Sequence, residues 1–140
     1  MVSIRNSTPL RCAPERAFDY LSDMRNELDW NPAVELVEKL TDGPIATGTR
    51  YRAKWKGGPP VEVTVVEFER PSTWRTHNDG PVEVTFHASL LPDAEGSRLT
   101  VEFNAQPHGW IRLVFPLLRR RLQRDEKANM TFIREALEAK

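Results

Sequence analysis

The chain has 140 residues, enough for one domain that buries most of its apolar surface without a disulfide or metal staple. Lys plus Arg and Asp plus Glu are both 20, so the net charge is zero, which argues against a protein built mainly to bind nucleic acid or other polyanions. The single cysteine, Cys12, excludes an intramolecular disulfide, fits a reducing compartment and has no nucleophile motif around it.

The opening Met1-Val-Ser-Ile-Arg5 lacks the basic and apolar blocks of a signal peptide. No run approaches the roughly 18 apolar residues of a membrane span. The richest stretch, Trp110 to Leu118, is interrupted by Arg112 and Pro116. These features predict a soluble cytoplasmic protein. No internal repeat, low-complexity tract or linker divides the chain, which reads as a single domain over 1–140.

Val2 to Thr8 alternates as a first, weakly apolar strand. Pro14 then sits where a first helical residue should, with Glu15 favourable beside the helix N-terminus, and Ala17, Phe18, Leu21 and Met24 recur at helical spacing. A second short helical turn should end before Asn31-Pro32, because a residue preceding proline is pushed out of the α region. From Val34 the period changes toward two. Six more strands are predicted over Val34 to Leu40, Thr49 to Trp55, Val61 to Phe68, Thr73 to Asn78, Val82 to Leu91 and Leu99 to Ala105. Their separators are short and rich in Gly, Pro and Asp, leaving no room for crossover helices, so neighbours should pair antiparallel. Trp110 to Leu137 reads as one long amphipathic helix closing over that sheet.

The hairpins predict which side chains share a face. A turn centred on Asp79-Gly80 pairs His77 with Val82 and Arg75 with Val84, placing both polar residues on the apolar face. A register off by one would turn them to solvent and send Trp74 inward. Centring the next hairpin on Gly58 pairs Trp55 with Val61, Ala53 with Val63 and Tyr51 with Val65, and the adjacent Val65-Val66 suggests a β-bulge. For the last hairpin only one register matches apolar to apolar, Phe86 with Phe103 and Ala88 with Val101.

The segment Ala13-Pro-Glu-Arg-Ala-Phe-Asp-Tyr-Leu-Ser-Asp23, followed by Asp29-Trp30-Asn31-Pro32, resembles the opening of the START-like (SRPBCC) superfamily, in its polyketide cyclase/dehydrase-type branch. Gly48-Thr-Arg-Tyr51, Glu69-Arg-Pro-Ser72 and Glu95-Gly-Ser-Arg-Leu-Thr100 fall where that family has its later strand-edge signatures. The resemblance covers about Val2 to Glu138. It implies an α+β helix-grip fold: a curved seven-stranded antiparallel sheet wrapped around the long C-terminal helix, with two short helices between the first two strands. It also implies a cavity between sheet and helix that holds apolar small molecules such as lipids or polyketides. A shared fold hosts many activities, so it does not select one.

Within that frame Tyr51, Trp55, Val63, Val65, Phe68, Phe86, Val101 and Phe103 face inward, opposite Leu118, Leu122, Met130 and Ile133 on the helix. Apolar walls with a few directed polar groups suit a small-molecule pocket, though the same residues could fill a closed core. The polar candidates are Arg75, His77 and Asn129. Glu126 also interrupts the helix stripe; a solvated face is its ordinary place, and if buried it would need a partner such as His77 or Arg75.

The three histidines lack zincin spacing. The hairpin as drawn puts His87 on the opposite face, roughly 17 Å from the position across from His77. No metal or cofactor is therefore expected. Neither a phosphate-binding Gly loop nor a nucleophile elbow occurs.

Arg119, Arg120, Arg121, Arg124 and Lys127 form a basic run that is ordinarily the solvated side of a helix, with contact to an anionic membrane surface as the alternative. Pro116 predicts a break or kink near Arg112 to Pro116, and the segment before it could then act as a gate. Three functions stay open: binding of a small apolar or polyketide-like ligand, a cyclase, dehydratase or aromatase with acid–base pocket residues, and a co-chaperone-like interaction module without a ligand. Either a monomer or a homodimer fits.

Overall fold

The computed structural model describes residues 2–139. Alternation drives β1 (Val2–Leu10), whose Val2, Ile4, Thr8 and Leu10 turn inward. Pro14 takes the first position of α1 (Pro14–Leu21), which buries Ala17, Phe18 and Leu21. Asp23 then caps a single 3-10 turn over Met24–Asn26 by accepting from the Arg25 backbone N–H at 3.1 Å. The four-residue α2 (Glu27–Trp30) follows and ends at Asn31, whose backbone is extended ahead of Pro32.

The remaining strands are β2 (Val34–Lys39), β3 (Arg50–Trp55), β4 (Val61–Glu69), β5 (Thr73–Asn78), β6 (Val82–Asp93) and β7 (Gly96–Pro107), and the chain closes with α3 (Ile111–Glu138). The seven strands form one antiparallel sheet in the order β1-β7-β6-β5-β4-β3-β2. Consecutive hairpins run from β2 to β7, and β1 returns beside β7. This curled half-barrel with a long helix across its concave face is the helix-grip architecture.

Three apolar clusters line the concave side. Leu10, Phe18, Trp74, Leu90, Leu99 and Ile133 join α1, the sheet centre and the C-terminal half of α3. Phe18 meets Phe68 and Trp74 edge-on, at centroid distances of 5.1 and 5.2 Å. Val34, Val37, Tyr51, Ala53, Val63 and Val65 pack the β2–β4 end. Val2, Ile4, Ala105 and Phe115 seat the first turns of α3, with Leu122 packed against them.

The β6–β7 register is the expected one, Phe86 opposite Phe103 and Ala88 opposite Val101. The bulge in β4 is also present, between Val65 and Glu67. In β3–β4 the pairing is Tyr51 with Val63 and Ala53 with Val61, two residues from the expected alignment, so the faces are unchanged.

The β5–β6 hairpin differs in kind. His77 pairs with Thr85, Arg75 with His87 and Asn78 with Val84. Pro81 has no N–H to offer a tight two-residue turn, and the Asn78 amide instead donates to the Asp79 carbonyl at 3.0 Å and more weakly to that of Val82. The wider loop changes the offset by an odd number, which exchanges the faces. His77, Arg75 and His87 therefore lie on the outer face, and Trp74, Thr76 and Asn78 turn inward. The expected separation of His77 and His87 onto opposite faces is overturned by the same register.

The helix also departs from expectation. α3 runs uninterrupted through Pro116, with no break near Arg112. Proline there removes a bond to a carbonyl near the N-terminal end, in an exposed turn where the freed group is open to solvent. Leu118 does not face the sheet: it is 43% exposed, on the flank of a stripe that runs through Phe115, Met130, Ile133 and Leu137. Trp110, Leu113 and Leu117, spaced along one side of the same segment, are 71%, 83% and 81% exposed. No helix among the described residues is long and apolar enough to cross a membrane.

Candidate functional site

Between α2, α3 and the sheet centre the clusters do not quite meet, and they leave a cavity of about 80 Å³. Its walls are largely aromatic and aliphatic: Trp55 from β3, Val63 from β4, Trp74 from β5, Phe86 from β6, and Val101 and Phe103 from β7. Glu126, Asn129, Met130 and Ile133 enter from α3 at the i, i+3, i+4 and i+7 spacing that places them on one helix face. Glu27 and Trp30 enter from α2.

Local chemistry holds that short helix in place. The Asn31 N–H closes the last turn onto the Glu27 carbonyl at 2.8 Å, and the Asn31 Oδ1 accepts from the Ala33 N–H at 3.1 Å. Asn26 Nδ2 donates to the Tyr20 carbonyl at 2.8 Å, tying the segment to α1. Glu27 and Trp30 thereby project into the space under α3.

The polar content of the cavity is unusual in sign and in satisfaction. Glu27 Oε2 and Trp30 Nε1 are buried without a hydrogen-bond partner. Orphaned buried polar atoms are uncommon in native proteins and costly, because nothing replaces the water they lost. Glu27 is half-buried as a residue, but this carboxyl oxygen is enclosed. Burial, with repulsion from Glu126 adding to it, pushes the Glu27 carboxyl up to about 8. Burial followed by the neighbouring Asp125 pushes Glu126 up to about 7. Two acids facing an apolar space and titrating near neutrality can accept, donate or pass a proton, or hold a cation.

Residues 1–138 match the sequence profile of the family described as polyketide cyclase / dehydrase and lipid transport. The chain belongs to this family. No curated protein sequence matches it. The fold is similar to that of TTHA0849 from Thermus thermophilus, at 18% identity and a TM-score of 0.80, covering 99% of this chain and 98% of that one. It is also similar to Ara h 8.0201, at 15% identity and a TM-score of 0.69 over 99% of both chains. The di-domain ARO/CYC StfQ from the steffimycin biosynthetic pathway matches at 13% identity and a TM-score of 0.76, over 99% of this chain and 51% of that one. At such identities the likeness is one of fold.

In this member of the polyketide cyclase/dehydrase family, the residues singled out from sequence fall into three groups. Trp55, Val63, Phe86, Phe103, Asn129 and Ile133 line the cavity. Tyr51, Val65 and Phe68 pack in the surrounding clusters, and Leu122 packs beside Phe115. Leu118, Arg75 and His77 lie away from it. Arg75 pairs with Glu67 at 3.3 Å on the outer face. His77 contacts Thr85 Oγ1 through Nδ1 at 3.1 Å and approaches Asp79 and Glu83 through Nε2 at 3.3 and 3.4 Å.

With Asp79 and Glu83, His77 brings three donor atoms within 4.8 Å of one another, a set that could hold a divalent cation. That cluster is on the convex surface, with the Asp79 side chain 91% exposed. A second recess of about 270 Å³ near Leu10 is partly open and walled by Arg11, Arg16, Arg134 and Glu138. Neither it nor the His77 cluster shares a wall residue with the cavity.

Sequence reasoning did not find Glu27, Trp30 as a wall residue, Thr76 or Asn78. A four-residue helix has no periodicity to read, so nothing distinguished Glu27 from Glu15 or Asp29. Thr76 and Asn78 were hidden by the β5–β6 register.

Proposed function

We propose that the protein binds a small, largely apolar molecule bearing a polar group in the cavity between the sheet and α3. The observation that carries this reading is the pair of unpartnered buried atoms, Glu27 Oε2 and Trp30 Nε1, facing an otherwise apolar wall. Tyr51 Oη is also buried without a partner, in the packed β2–β4 cluster, but Glu27 and Trp30 bring two such atoms to one cavity, and it is this convergence that favours a ligand.

The size of the cavity points the other way on its own. About 80 Å³ is below the roughly 300 Å³ at which small-molecule pockets begin, and a closed core with no ligand would look similar. The polar atoms outweigh the volume, since walls move on binding whereas a buried carboxyl must be satisfied. A ligand larger than a fragment would require α2 and α3 to part. The family description, which joins cyclase and dehydrase activity with lipid transport, supports an apolar ligand of this kind.

Native mass spectrometry of the protein purified from its own source tests the reading. The expected result is a co-purifying mass that is lost when Ile133→Phe fills the cavity. An unliganded protein, together with unchanged tryptophan fluorescence across a panel of apolar fragments, would sink it.

A second reading is supported by the two carboxyls that titrate near neutrality. In it Glu27 and Glu126 act as acid and base on a bound polyketide-like substrate, one donating while the other accepts. Glu27→Gln and Glu126→Gln each leaving turnover of an identified ligand intact would exclude that role.

A further inference from the structure

The cavity is acidic and carries no opposite charge. None of the residues lining it is Lys, Arg or His, whereas two are Glu. α2 contributes Glu27, α3 contributes Glu126 with Asp125 beside it, and the sheet contributes no titratable side chain to the wall. No ion pair involving either glutamate occurs among the described residues. Arg75 and His77, which sequence alone offered as partners, are on the far side of the sheet.

A buried carboxylate takes its counter-ion from somewhere or gives up its charge. Here none of the described residues supplies a counter-ion. The same cavity presents the indoles of Trp30, Trp55 and Trp74 and the rings of Phe86 and Phe103. Aromatic faces attract cations, most strongly when the cation is desolvated. A carboxylate on the ligand would meet like charge in a low-dielectric space.

We infer that the ligand of this cavity is a cation: an apolar amine whose ammonium group sits between Glu27 and Glu126 while its hydrocarbon part contacts the aromatic wall. This rests on the proposal that the cavity binds a small molecule, and it names the class of that molecule. Fatty acids and other carboxylates are disfavoured in the same position, since they add like charge beside whichever of the two acids is ionised.

An ammonium group placed there favours the ionised form of both acids, so binding at neutral pH must release protons. A neutral ligand accepting hydrogen bonds from the protonated acids would release none.

Three fragments of one shape separate the cases: benzylamine, benzyl alcohol and benzoate. Their binding is followed at pH 7.5 by tryptophan fluorescence, and by calorimetry in two buffers of different ionisation enthalpy. Benzylamine should bind at least about tenfold more tightly than benzyl alcohol, as a charge-assisted contact in a dry site requires, with proton release; benzoate should not bind. The double variant Glu27→Gln/Glu126→Gln should lower benzylamine affinity to that of benzyl alcohol, whose own affinity reports that the cavity is still folded. Benzyl alcohol or benzoate binding as tightly as benzylamine overturns the ligand class and leaves the cavity a binding site. Failure of all three to bind overturns both.

Discussion

Glu27 shows what an unpaired acid does to a fold. Its carboxyl titrates near the ordinary 4.5 in the unfolded chain and at about 8 in the folded one, chiefly because burial disfavours the charge. Between those values the folded state binds more protons than the unfolded state. Stability therefore falls as pH rises from about 4.5 to about 8 and levels off above. Glu126, raised to about 7, acts in the same direction. Glu27→Gln should remove much of this slope. It should raise stability at pH 8.5 by about 2 kcal/mol and leave pH 4 nearly unchanged, as measured by urea unfolding at the two pH values. A loss of stability at pH 8.5 would mean that the acid has a partner. Sites shaped for a ligand commonly carry such a burden, and Trp30, with its unserved indole N–H, shares it.

Along α3 the two halves are built differently. Ile133 is 3% exposed beneath the sheet, whereas Leu117 is 81% exposed in the second turn. Truncating Ile133 to alanine should cost roughly 2 to 5 kcal/mol, and truncating Leu117 no more than about 0.5 kcal/mol, compared by thermal or chemical unfolding. The same contrast bears on how much could be read from sequence. Strand number, the register of the final hairpin and the position of Pro14 were legible because each had only one arrangement that matched apolar to apolar or satisfied the backbone. The β5–β6 face was not, since Pro81 and the Asn78 amide widen the loop in a way that alternation does not record. Half of the wall was visible as aromatic and β-branched alternation. Glu27 was not visible, because its direction is set by how Asn26 and Asn31 anchor a single helical turn. Leu118 was misplaced for a simpler reason: it borders the buried stripe, and helical period alone does not say which border meets the sheet.

At the scale of the whole molecule, equal numbers of acidic and basic side chains conceal an uneven distribution. Between Trp110 and Arg124 there are five arginines and no acidic residue. The one ion pair that segment makes among the described residues is a loose contact of 3.9 Å between Arg121 and Asp125. An exposed pair at that distance neutralises little in water. The protein is thus a neutral particle with a basic pole, and a charged surface responds to the pole before the sum. At pH 7 and low ionic strength it should be retained on a cation-exchange resin despite a net charge of zero, and elute with modest salt. Reversing Arg119 and Arg120 to glutamate should send it through the column unretained. The uninterrupted course of α3 past Pro116 thereby acquires an electrical meaning: it carries the arginines out along one rigid rod, fixing the direction of the molecule's dipole.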